Sequence, residues 1–187
     1  MKEALKAPME PGKLCDGHLE LQLDRFEMHP VHHVPTYQFL SKDSRTEETL
    51  GNIRLSIGST RHVEMFAGHI GYGVLPEHRG NHYAARAVRL LLPLASALGI
   101  DPLWITCDPE NIASRRTLEH AGAVFVDVVD VPENCIIHKK GHPRSAVTGS
   151  RRRRRVEVRI EEIKRKTQKR LFRTHASLVA TFHSYPS

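Results

Sequence analysis

The sequence predicts an α+β (α/β) fold with a mixed, mostly antiparallel central sheet flanked by helices. Three observations predict it. Several segments with strand character precede the first good helix, which points to an antiparallel meander. A helix from about residue 81 to 98 then shows the broad apolar surface of a helix laid on a sheet. A short, almost wholly apolar run at 103–107 follows and leads into a second helix.

The elements are justified in order. Residues 1–17 are polar, with Pro8, Pro11, Gly12 and Gly17, and read as a loose lead-in. Residues 18–24 (HLELQLD) alternate at period two, a strand with one buried face. FEMHPVHHVP reads as a loop, with His32 and His33 facing solvent. TYQFL is a second strand, SKDSRTEE a polar turn, and TLGNIRLSIG a third strand with Ile53, Leu55 and Ile57 on one face. HVEMFAGHIGYGVL reads as a fourth strand. Gly71 and Gly73 flank Tyr72 there, and mark a bulge, a close ligand approach or a packing need. Pro93 removes a donor inside the first helix, so a kink or an interruption is expected, and Gly99 is its stop. Asp108 or Asn111 caps the second helix, which Gly122 ends. VFVDVVDV is a further strand, and CIIHK a last one.

The chain has 187 residues and 40 % hydrophobic content, enough for one domain with a tail. No apolar run is long enough for a transmembrane segment, and the first 20 residues lack a secretory stretch. Three widely spaced cysteines point to a reducing, cytoplasmic setting and no metal cluster. Residues 1–138 hold 13 Lys/Arg against 18 Asp/Glu, and residues 139–187 hold 15 against 3. A nucleic-acid reading of the net charge of +7 therefore applies only to the tail. There, Arg151 to Arg155 form a like-charge run that suits adventitious RNA or acidic-surface binding. Val156, Ile160, Ile163 and Thr167 have helical spacing.

The turn after Pro76 carries the chemistry. A strand ends near Val74 or Leu75, and backbone amides from about Arg79 to Ala84 open a helix. Unpaired first-turn donors and the helix dipole favour an anion there. Gly80 permits close approach of a phosphate or an unusual backbone angle. An ordinary glycine turn is the competing reading. Neither a P-loop nor a dinucleotide fingerprint is present.

This block resembles the GNAT superfamily of N-acetyltransferases, in its branch similar to ribosomal-protein and amino-terminal acetyltransferases. The resemblance spans roughly residues 18–142. It places the pyrophosphate motif on Arg79, Gly80, Asn81, His82, Tyr83 and Ala84. It pairs a pantetheine arm with Tyr72, Gly73, Val74 and Leu75, and sets Asn111 and Ser114 on the flanking helix. It implies acetyl-CoA as cosubstrate without a metal, and an amine acceptor, either a protein N-terminus or a small molecule. A monomer or homodimer is expected. The implied division is a lead-in over 1–17, an acyltransferase domain over 18–143 and an atypical basic tail over 144–187.

Three departures qualify the resemblance. His82 stands where the motif has glycine, and either crowds the pyrophosphate or lies outward at helical angles, where its charged form would favour phosphate. Leu118 stands where many members carry a tyrosine acid. That leaves Ser114 as a poor acid, and His69 or Glu64 as candidate bases. The family's closing strand resembles a Lys-Cys-Arg-Tyr-Arg run, whose codons read one base later give the Ser-Ala-Val-Thr-Gly of residues 145–149. Residues from Ser145 therefore read as out-of-frame, with the final strand missing or altered. A catalytically impaired remnant and a basic-tail RNA-binding protein are the alternative functions.

Overall fold

The computed structural model describes residues 9–149. Eight strands form one sheet: β1 (Leu14–Asp16), β2 (Leu19–Met28), β3 (Pro35–Asp43), β4 (Thr49–Ser56), β5 (Ile70–Val74), β6 (Trp104–Cys107), β7 (Val124–Asp130) and β8 (Arg144–Gly149). Their spatial order is β1-β2-β3-β4-β5-β6-β8-β7. All neighbours are antiparallel except β5 and β6. The helices are α1 (Tyr83–Ala97), α2 (Ile112–Ala121) and the short α3 (Ile136–Lys139).

The alternation read in the sequence places the core. Tyr37 and Phe39 on β3 lie opposite Leu55 and Ile53 on β4, so four large side chains share one face. Ala85, Val88 and Leu91 of α1 join the same buried cluster. The helix continues through Pro93 without the expected break. β2 extends to Met28, beyond the strand read in the sequence, because Phe26 pairs with Tyr37 and packs on its ring at 4.6 Å.

Four expectations are corrected. The segment read as one long fourth strand is divided: Val63–Ala67 forms a π-helical turn, and only Ile70–Val74 is strand. Its buried residues, Val63, Glu64, Met65 and Phe66, are consecutive, so the apolar run imitates a buried strand. CIIHK is not a strand, because Ile136–Lys139 closes into one helical turn. His32 does not face solvent freely; its Nδ1 lies 2.8 Å from His62 Nε2 and its ring stacks on His29 at 4.2 Å. Of the two expectations for the final strand, missing or altered, the first is overturned, because Arg144–Gly149 pairs with β6 on one side and β7 on the other. Small side chains suit that place: Ala146 and Val147 are buried, and Thr148 Oγ1 donates to the Ile105 carbonyl at 2.8 Å. The sheet thus includes residues 14–16 and 144–149, outside the 18–143 range read in the sequence. The helix expected from residue 156 onward and the arginine run lie outside the described residues.

Candidate functional site

β5 and β6 run parallel but are paired only where Ile70 lies opposite Ile105. Beyond that point, among the described residues, no strand partner covers the edge of β5 that faces β6. Backbone alternation decides which groups face the gap. Ser56 N–H donates to His69 O, and Leu75 N–H donates to Leu50 O, both toward β4. The peptide groups of Gly71 and Gly73 therefore also turn toward β4, and those of Tyr72 and Val74 turn toward the gap. Arg79 Nε occupies the Val74 carbonyl at 3.2 Å.

The gap opens into a cleft of about 710 Å³ between the end of β5, the start of α1 and one face of α2. The start of α1 has no side-chain cap. By contrast, Asn111 Oδ1 accepts the Ser114 N–H at 2.9 Å and caps α2. First-turn amides of α1 thus remain available to an anion. Gly80 adopts φ +84° with open space around it, so the backbone angle calls for glycine there. Five basic or protonatable side chains line the cleft: His78, Arg79, His82, Arg116 and His120. Among the described residues, no Asp or Glu lines it.

Ten residues expected from the sequence to contact a cofactor line this one cleft. Tyr72, Gly73 and Val74 come from β5, and Arg79, Gly80, His82, Tyr83 and Ala84 from the turn and α1. Asn111 and Ser114 come from α2. Leu75 and Asn81 do not line it; the Asn81 amide instead donates to the His78 and Arg79 carbonyls and braces the turn. His78, Arg116 and His120 were not anticipated. A signal existed for two of them, because Ala113, Arg116 and His120 recur at the spacing of one helix face.

His82 departs from the helical-angle reading offered by the sequence. It does not take helical angles but sits at φ +55°, ψ 17°, in the left-handed region. Its ring packs against His120 at 4.8 Å between centroids, which joins the start of α1 to the end of α2.

The candidate bases are corrected. His69 is 1 % exposed and does not line the cleft. Its Nδ1 accepts the Trp104 N–H at 2.9 Å, and its Nε2 lies 3.0 Å from the Gly58 carbonyl. Both ring nitrogens are committed, and burial pushes its pKa below the usual histidine range. Glu64 is buried in the π-helical turn and also lies outside the cleft lining.

Ser114 gains a partner that sequence reading missed. The Tyr72 hydroxyl lies 2.8 Å from Ser114 Oγ and spans from β5 to α2. Burial raises the Tyr72 pKa above that of an ordinary phenol, so the hydroxyl keeps its proton. Burial likewise raises the Cys107 thiol, which argues against an acyl-carrying thiolate.

Comparisons with known proteins come to bear on this geometry. No curated protein sequence matches the chain. Among solved structures, it is similar to a ribosomal-protein-S5-alanine acetyltransferase from Vibrio fischeri, with 18 % identity, TM-score 0.47, and coverage of 62 % of this chain and 61 % of that one. It is similar to a GNAT-family acetyltransferase from Bacillus anthracis, with 20 % identity, TM-score 0.47, and coverage of 60 % and 64 %. It is also similar to a spermidine N-acetyltransferase variant from Vibrio cholerae, with 16 % identity, TM-score 0.47, and coverage of 62 % and 64 %. The chain thus spans less than two thirds of the length of each of these three. The family model described as an acetyltransferase (GNAT) domain matches residues 11–124, well over half of the sequence, and the chain therefore belongs to the GNAT acetyltransferase family.

Proposed function

We propose that the protein transfers an acetyl group from acetyl-CoA to an amine by direct attack on the thioester. The observation that carries this reading is the cleft itself. An uncapped helix start and five basic or protonatable side chains surround a space to whose lining the described residues contribute no carboxylate. That donor set suits a polyanion such as a diphosphate. The gap-facing peptide groups of Tyr72 and Val74 suit an extended, amide-bearing arm.

The thioester supplies an activated acyl carbon. The amine lone pair forms the new C–N bond, the C–S bond breaks, and the departing sulfur takes a proton. We assign that proton to the Tyr72 hydroxyl, with Ser114 Oγ holding it in place at 2.8 Å. No side chain is assigned as base: the proton that the attacking nitrogen gives up passes to solvent, solvent returns one to the Tyr72 oxygen, and positioning the amine against the thioester supplies much of the acceleration.

One observation favours a second reading, an impaired remnant. The His82 and His120 rings meet across the cleft where the pyrophosphate would lie. A thiol-release assay across peptide N-termini, polyamines and amino acids separates the two. Release that depends on an amine supports transfer, and coenzyme A binding without release from any amine supports the remnant. The free thiols of Cys15, Cys107 and Cys135 agree with the cytoplasmic setting we propose. The basic tail that would bind RNA lies outside the described residues.

A further inference from the structure

We propose that Arg54, lying over Gly71 on the face of the sheet opposite the cleft, forms an anion-recognition site that selects amine acceptors bearing a carboxylate. The inference rests on the acetyl-transfer reading of the cleft and names the substrate class it takes.

Arg54 stands opposite Gly71 in the register of β4 and β5. Its guanidinium lies close over the glycine. A Cβ on Gly71 would come within 2.6 Å of Cζ, 2.7 Å of Nη1 and 2.8 Å of Nη2. The missing side chain is what makes room for the group. Arg54 Nε is buried and has no hydrogen-bond partner. Four other arginines do have carboxylate partners: Arg25 with Asp24, Arg45 with Asp43, Arg86 with Asp16 and Arg144 with Glu110. No carboxylate among the described residues lies within ion-pair distance of Arg54. Burial alone pulls its pKa down, with no acidic neighbour acting against it. A largely desolvated cation without a counter-ion is costly, so a ligand anion has a ready place there.

Its position relates this cation to the reaction. β5 and β6 separate after Ile70 and Ile105, which leaves this edge of β5 open between the two faces of the sheet. Side chains alternate along β5. Tyr72 lines the cleft, while Gly71, next to it, presents the opposite face, under Arg54. An acceptor that reaches the gap from this face meets the guanidinium on its way to the thioester end of the arm. His29 and His32 lie within the electric field of Arg54, which acts with burial to keep both neutral. The planar fork of arginine matches a carboxylate in two-point contact.

The test uses the full chain and two product analogues, N-acetylalanine and N-acetylalaninamide, titrated by calorimetry with and without saturating coenzyme A. The acid is expected to bind roughly ten-fold or more tightly than the amide. Arg54→Gln should abolish that preference and Arg54→Lys should keep part of it. Gly71→Ala, which displaces the guanidinium, should also weaken it and covers the case in which Arg54→Gln fails to fold. Equal binding of acid and amide by the unsubstituted chain, or a preference that survives Arg54→Gln, overturns the proposal. Coenzyme A affinity is read separately. Its absence would refute the cleft reading, and the acid-to-amide comparison without coenzyme A would still decide the Arg54 site.

Discussion

His82→Gly is the most informative single change to this cleft. The residue sits at φ +55°, where a side chain costs about 1–2 kcal/mol relative to right-handed angles. Glycine removes that cost but adds roughly 0.5–1 kcal/mol of backbone entropy on folding. The change also gives up the ring contact with His120, worth about 0.5–1.5 kcal/mol. These contributions nearly cancel, so stability should change by no more than about 1 kcal/mol. Affinity responds differently. Two imidazoles meet where the proposed pyrophosphate would lie, and overpacking of that kind costs about 1–3 kcal/mol. Coenzyme A should therefore bind about five-fold or more tightly to His82→Gly, as read by calorimetry. His82→Ala serves as control: it opens the same space but keeps the left-handed angle, so it should gain similar affinity in a less stable protein. If neither variant binds coenzyme A more tightly than the parent chain, the crowding argument is refuted.

Other expectations follow from the same geometry. Tyr72→Phe should lower kcat about 100-fold with little change in KM for acetyl-CoA, because the lost hydroxyl carries the proton and not the binding. Arg79→Ala and Arg116→Ala should each weaken coenzyme A binding about ten-fold, with the loss shrinking at high salt. Leu118→Ala, at a fully buried position of α2, should cost about 2–5 kcal/mol in urea denaturation. Acid should also destabilise the fold. Burial is the first cause that pushes down His29, His32, His62 and His69, with His32 near 3. A lowered histidine favours the neutral folded form, while the unfolded chain takes up protons from about 6.5 downward. Stability should be full above about pH 6.5 and fall as pH drops toward 3. His32→Asn should flatten that slope in thermal melts.

Much of the fold was legible because the sheet's period is simple. Ile53 and Leu55 alternate onto a core face, and Asn111 and Gly122 bracket α2 as capping chemistry dictates. The apolar run Val63–Ala67 was not legible, since a buried turn and a buried strand share one composition. That Ser145 to Thr148 would pair as a strand on both edges was not legible, since pairing uses backbone groups that any such residues supply. In the cleft, the turn from Arg79 to Ala84 was readable from local helix-start chemistry. The Tyr72–Ser114 contact was not, because 42 residues separate partners that only the completed sheet brings together. The helical angles offered for His82 were wrong because sequence does not reveal the sign of φ at a histidine.

The place of β8 bears on how this molecule comes into being. The strand is synthesised after both of its neighbours, yet it lies between them in space. During translation, Trp104–Cys107 and Val124–Asp130 must emerge and wait with raw hydrogen-bonding edges until residues 144–149 clear the ribosome. The antiparallel half from Leu14 to Ser56 has no such dependence and can assemble first. A nascent chain stalled before residue 144 would therefore carry a finished half beside an open seam, the kind of surface that chaperones hold.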